Sequence, residues 1–102
     1  IMQEICKIVS DFFEMEFDED SLDFYRFITH LKFFAQRLIN HVHYNDNMEG
    51  MLDAIAQQHP RSYACTQLIR ERVEASYHYA MSADEMLYLT IHIARLSANR
   101  KK

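Results

Sequence analysis

Apolar residues return every three or four positions through Ile1, Ile5, Ile8, Val9, Phe12 and Met15. That interval keeps to one side of an α-helix, so the segment reads as an amphipathic helix with one face buried. The acidic run Asp18, Glu19, Asp20 breaks the stripe and marks a turn. Asp20 or Ser21 is placed to cap a second helix, with Asp23 in its first turn. This second helix is expected from about Leu22 to about Val42, with Leu22, Tyr25, Ile28, Leu31, Phe34, Ala35, Leu38 and Val42 inward. Phe24, Phe27 and Phe33 widen its apolar surface, so it contacts more than one neighbour, another subunit among the candidates. Asn45, Asp46 and Asn47 form a loop, and Asn47 caps a short helix carrying Met51, Leu52, Ile55 and Ala56. Gly50 in its first turn costs up to ~1 kcal/mol against alanine. Pro60 ends that helix, because the residue before a proline avoids helical geometry. A fourth helix is expected from about Ser62 to about Tyr79, with Tyr63, Ala64, Leu68, Ile69, Val73 and Ser76 inward. The sharpest helix start is Ser82-Ala83-Asp84-Glu85, a capping box in which serine and glutamate satisfy each other's backbone N–H. A fifth helix follows to about Ser97, with Met86, Leu87, Thr90, Ile91, Ile93 and Ala94 available for packing. The pattern is all-α: a compact five-helix bundle in a single domain spanning residues 1–102.

Composition narrows the function. One glycine and one proline leave no material for a Gly-rich phosphate loop or a series of hairpins. A net charge of −4 disfavours direct nucleic-acid contact, and Lys101 with Lys102 makes only a weak basic patch. Cys6 and Cys65 form neither a CxxC pair nor a disulfide framework, which suits a reducing cytoplasm. No apolar run reaches the roughly 20 residues that span a bilayer, and no signal peptide is apparent. The chain starts already in helical register, so it is expected to be a fragment of a longer protein.

Histidine is unusually frequent, with six residues in 102. His30 lies midway along the second helix, on a stripe with Asp23, Arg26 and Arg37, flanked by Phe33 and Phe34. His92 lies in the most apolar part of the fifth helix, on a stripe with Glu85, Tyr88, Arg95 and Asn99. Each therefore sits among arginines on an otherwise apolar surface. A neutral imidazole is a nucleophile near pH 7. Phosphoryl transfer needs chiefly positioning and charge stabilisation, both of which a guanidinium fork supplies. Arg26 and Arg95 stand one turn from their histidines and Arg37 about two turns from His30. Spacing alone leaves open the plainer possibility of half-buried histidines with ordinary hydrogen-bond partners. The others read plainly: His41 and His43 are two apart and on different faces, His59 is exposed before Pro60, and His78 sits at a helix C-terminus, where a cation is favoured. A metal site is weakly indicated, since neither Glu-x-x-His nor His-Glu-x-x-His occurs. Neither cysteine has a histidine nearby in sequence, so no nucleophilic catalyst or cofactor is implied.

Two segments carry a family resemblance. Tyr25-Arg26-Phe27-Ile28-Thr29-His30-Leu31-Lys32-Phe33-Phe34-Ala35-Gln36-Arg37 resembles the first histidine motif of the phosphotransferase-system regulation domain. Asp84-Glu85-Met86-Leu87-Tyr88-Leu89-Thr90-Ile91-His92-Ile93-Ala94-Arg95 resembles its second. These domains occur in bacterial transcriptional antiterminators of the BglG/SacY type and in related sugar-operon activators. The wording is most similar to the second of the two tandem copies in the antiterminators, and the resemblance covers nearly the whole chain. It implies a five-helix bundle that forms homodimers in the cytoplasm and is not an enzyme. It implies that His30 and His92 are phosphorylation sites, served by the phosphocarrier HPr or by sugar-specific enzyme II components. Arg37 and Arg95 match recurrent arginines of the motifs; with Arg26 they are expected to support the phosphate. In antiterminators RNA is bound by an N-terminal domain, to which nothing here corresponds. A metal-binding helical bundle using the same histidines, and a purely structural dimerisation module, are the rival expectations.

Overall fold

The computed structural model describes residues 2–40 and 49–98. The described residues form five helices: α1 (Met2–Phe13), α2 (Leu22–Asn40), α3 (Glu49–Gln58), α4 (Pro60–Tyr77) and α5 (Ala83–Ala98). The expected Asn45–Asn47 loop, the Asn47 cap, Val42, His41 and His43 lie outside the described residues.

Local chemistry sets each boundary. The end of α1 is closed by the Met15 N–H donating to the Ser10 carbonyl and the Ser10 hydroxyl donating to the Met15 carbonyl. This places Glu14 in the left-handed region at φ 50°, a closure that glycine usually supplies. Of the two candidate caps for α2, Ser21 takes the role: its hydroxyl accepts from the Phe24 N–H at 3.1 Å and donates to the Asp18 carbonyl at 2.8 Å. Pro60 ends α3, as expected. It is itself the first residue of α4, two positions before the expected start, since proline's fixed φ suits the first helical position. His78 closes α4 at φ 55°. The Ser82–Glu85 box forms as read, with the Glu85 N–H donating to the serine hydroxyl at 3.2 Å and the Ser82 N–H to the glutamate carboxylate at 3.0 Å.

Helix α5 packs against α2, α3 and α4, while α1 covers α2 and α4. A helix contacted on so many sides must be apolar most of the way round. Leu87, Leu89, Ile93 and Leu96 are accordingly buried along with Met86. They meet Phe27, Leu31, Phe34 and Leu38 of α2, Cys65, Ile69 and Val73 of α4, and Ile5, Val9 and Phe13 of α1 in one core. Between α4 and α5 the Thr66 and Thr90 hydroxyls lie 2.8 Å apart, each also within reach of a carbonyl one turn earlier in its own helix. The Tyr77 hydroxyl donates to Glu4 and ties the end of α4 to α1.

Two inward faces differ from the sequence expectation. On α2 the buried line is Phe27, Leu31, Phe34, Leu38, and both Leu22 and Tyr25 are exposed. A helix with aromatic residues on several sides has no single apolar stripe to read. On α4 the buried side is Ser62, Cys65, Thr66, Ile69 and Val73, whereas Leu68 and Ser76 are exposed. Small polar residues fill the tight contact with α5, so hydrophobicity does not mark that face. Among the described residues no helix is long and apolar enough to cross a membrane.

Candidate functional site

Helices α2 and α5 bring His30 and His92 together. Their ring centroids are 5.0 Å apart with the planes inclined at 35°. The ring of Tyr88, one turn before His92 on α5, lies 6.2 Å from His30. Both imidazoles are partly exposed. His30 opens on a cavity of about 270 Å³ that it lines with Phe33, Arg37 and Tyr88. The two histidines, more than sixty positions apart in the chain, thus form one patch rather than two separate sites.

The arginines come with them. Arg37 faces His30 across the cavity, while Arg95 and Arg26 lie close enough to His92 to act on its charge. His30 is held down to about 4, first by burial, then by the neighbouring His92 and Arg37, all of which penalise a positive ring. His92 is lowered too, by burial and by Arg95 and Arg26, with Asp23 opposing them. Both rings are therefore neutral near pH 7, with a nitrogen lone pair available.

The positive surroundings rest on a buried anchor. The Glu85 carboxylate has no exposed surface, and it accepts from Arg37 Nε at 3.2 Å. It also accepts from the Tyr79 hydroxyl, 2.9 and 2.8 Å from its two oxygens, and from the Ser82 N–H at 3.0 Å. The polar stripe read on α5 therefore does not run along solvent at this end: Glu85 points inward. Tyr79 stands edge-on to Phe34 at 5.7 Å, and burial together with the Glu85 carboxylate pushes its hydroxyl well above the usual phenol range. Sequence reasoning gave Tyr79 no role. Its only signal is a tyrosine three residues before a capping serine, close enough for the box glutamate to serve both.

His59 is exposed, as expected, and His78 lies at the C-terminal end of α4, as expected, where it too is exposed. Among the described residues no group of three or more His, Cys, Asp or Glu side chains is arranged to hold a metal ion. The Cys65 thiol is buried and pushed up to about 12, the wrong direction for a nucleophile.

The low value at His30 makes the fold acid-sensitive. In the unfolded chain this ring takes a proton near its ordinary 6.5, in the folded one only near 4. Its contribution is fully present above the unfolded value and lost as pH falls through that window, in total about 3 kcal/mol. Urea unfolding of the unaltered protein and of His30→Gln, compared from neutral to about pH 4, isolates this ring from the carboxylates that titrate alongside. The variant is expected to show the shallower decline. An NMR titration placing His30 at or above 6.5 contradicts it.

The PRD domain family profile matches residues 3–96. The chain is 48% identical over 96 residues to transcription antiterminator LicT of Bacillus subtilis, which covers 94% of this chain and 35% of that protein. It is 33% identical over 96 residues to a beta-glucoside operon antiterminator of Dickeya chrysanthemi, covering 94% of this chain and 34% of that protein. Over 78 residues, 74% of this chain and 26% of the relative, it is 31% identical to Protein GlcT of Staphylococcus aureus. The chain thus spans about a third of the length of the first two relatives.

Proposed function

The chain belongs to the PRD domain family, and on that premise we propose that it is the phosphoryl-accepting regulatory domain of a bacterial sugar-operon antiterminator. In this reading it is one domain of a longer cytoplasmic regulator, is not itself an enzyme, and uses His30 and His92 as phosphorylation sites. HPr or a sugar-specific enzyme II component donates, the domain pairs with a second copy, and RNA is bound by an attached domain. The observation that carries it is the meeting of two neutral histidines, their ring centroids 5.0 Å apart, with Arg37 beside one and Arg95 and Arg26 near the other.

The chemistry follows from that arrangement. A nitrogen lone pair of the neutral ring attacks the donor's phosphorus, a new N–P bond forms, and the bond from phosphorus to the donor's own side chain breaks, leaving its electron pair on that side chain. No proton has to leave the acceptor first. The product adds about −2 charges to an apolar surface. Arg37 at His30, and Arg26 and Arg95 at His92, are the cations placed to hold them. Leu22, Tyr25 and Phe33 of α2 are exposed, which supports pairing with a second copy on the helix that carries His30. Charge arriving there changes the geometry of the pair, and through it the attached domain.

The test is incubation with phosphoenolpyruvate and the general sugar-phosphotransferase proteins. Label that survives base and is lost in acid is the expected result, as for a phosphorus–nitrogen bond. Absence of uptake both under conditions that charge HPr and after a sugar-specific enzyme II component is added ends the reading.

A further inference from the structure

Glu85 is more deeply placed than a capping box requires. A box needs only a carboxylate or amide reaching back to one N–H, and it works at an exposed helix start. Here the side chain is withdrawn entirely from water. Burying a carboxylate is costly unless it is fully paired. Glu85 is paired on three sides, by the Ser82 N–H, the Tyr79 hydroxyl and Arg37 Nε. The first contact belongs to the cap. The others do something else: they fix a guanidinium that is only 22% exposed and that lines the same cavity as His30.

We propose that Glu85, backed by Tyr79, is a positioning residue for phosphoryl acceptance at His30, holding Arg37 by its inner edge so that the guanidinium meets the arriving phosphoryl group without first being ordered. This rests on the phosphoacceptor reading above. A free arginine gives up rotamer freedom when it closes on an anion, and one already clamped does not. The clamp is specific to one acceptor. His92 draws on Arg95 and Arg26 instead, so the two histidines respond differently when the clamp is loosened.

Glu85→Gln is the decisive change, because glutamine still serves the Ser82 N–H and fills the same space while removing the charge that holds Arg37. Initial rates of phosphoryl uptake are read one site at a time, in His92→Ala for His30 and in His30→Ala for His92. With Glu85→Gln, uptake at His30 is expected to slow about tenfold, and uptake at His92 to stay within about twofold. Adding Glu85→Gln to Arg37→Gln is expected to slow His30 no further than Arg37→Gln alone, since the carboxylate acts only through that guanidinium. Tyr79→Phe, which keeps the ring and drops one hydrogen bond, is expected to slow His30 about threefold and serves as a second variant should Glu85→Gln fold poorly. Unchanged uptake at His30, equal slowing at both sites, or fully additive losses overturns the inference while leaving the phosphoacceptor reading standing. Absence of label from the unaltered protein overturns that reading, and this inference with it.

Discussion

Replacing His30 and His92 together by alanine is expected to abolish phosphoryl uptake, while either single replacement leaves one acceptor working. The rings are both neutral at pH 7 and their centroids are 5.0 Å apart, so under the proposed function a donor docked over the α2–α5 seam would meet both. The same closeness makes them interdependent. A group bearing about −2 charges on one ring opposes the arrival of a second on its neighbour, so uptake by the remaining site in each single variant is expected to proceed unhindered. Intact mass measured at neutral pH, where a phosphorus–nitrogen bond survives, counts the groups per chain. Both rings are partly exposed, so their loss leaves the core untouched and the comparison is between folded proteins. Label persisting in the double variant would falsify the site assignment and turn attention to His59 and His78, which are exposed at the ends of α4.

The largest loss of stability is expected from Phe27→Ala. Phe27 is fully buried, one turn before His30, and its ring lies 6.1 Å from that of Phe17. Removing such a ring costs about 3–5 kcal/mol, a large part of what holds a domain of this size together. Phe33, in the same motif, is 53% exposed, and its replacement by alanine is expected to cost no more than about 0.5 kcal/mol at concentrations where the chain is unpaired. Urea titrations of the two variants compare the same chemical deletion on opposite sides of α2. The midpoint should fall steeply for the first and hardly move for the second, with the slope unchanged. Equal losses would mean that the buried line of α2 has been misplaced.

Much of this architecture was legible in the chain, because its helix boundaries are written in local chemistry. The Ser82–Glu85 box, Ser21 before Leu22, and Pro60 act on residues within one turn, and the helices begin and end where they fall. The faces of α2 and α4 were harder. Which side of Tyr25-Arg26-Phe27 turns inward depends on what α1 and α5 offer it, and the Ser62 and Thr66 side of α4 is buried because a tight helix contact favours small groups. The candidate site divides the same way. His30 and His92 stood out by their arginine neighbours, but their meeting is a tertiary fact that no spacing within either motif contains. Tyr79 was invisible because its partner, Glu85, looked fully occupied by the cap.

Glu14 and His78 hold left-handed backbone geometry without being glycine, in a chain whose one glycine, Gly50, stands within a helix with nothing near the place of a missing side chain. Each left-handed residue carries a penalty of roughly 1–2 kcal/mol, so the fold leaves thermal tolerance unclaimed at two helix exits. Glu14→Gly and His78→Gly should each raise the melting temperature by a few degrees, somewhat less than the relief of strain alone implies because glycine also loosens the unfolded chain. Differential scanning calorimetry reads this directly, and a fall in melting temperature for either would mean that the side chain itself secures its turn.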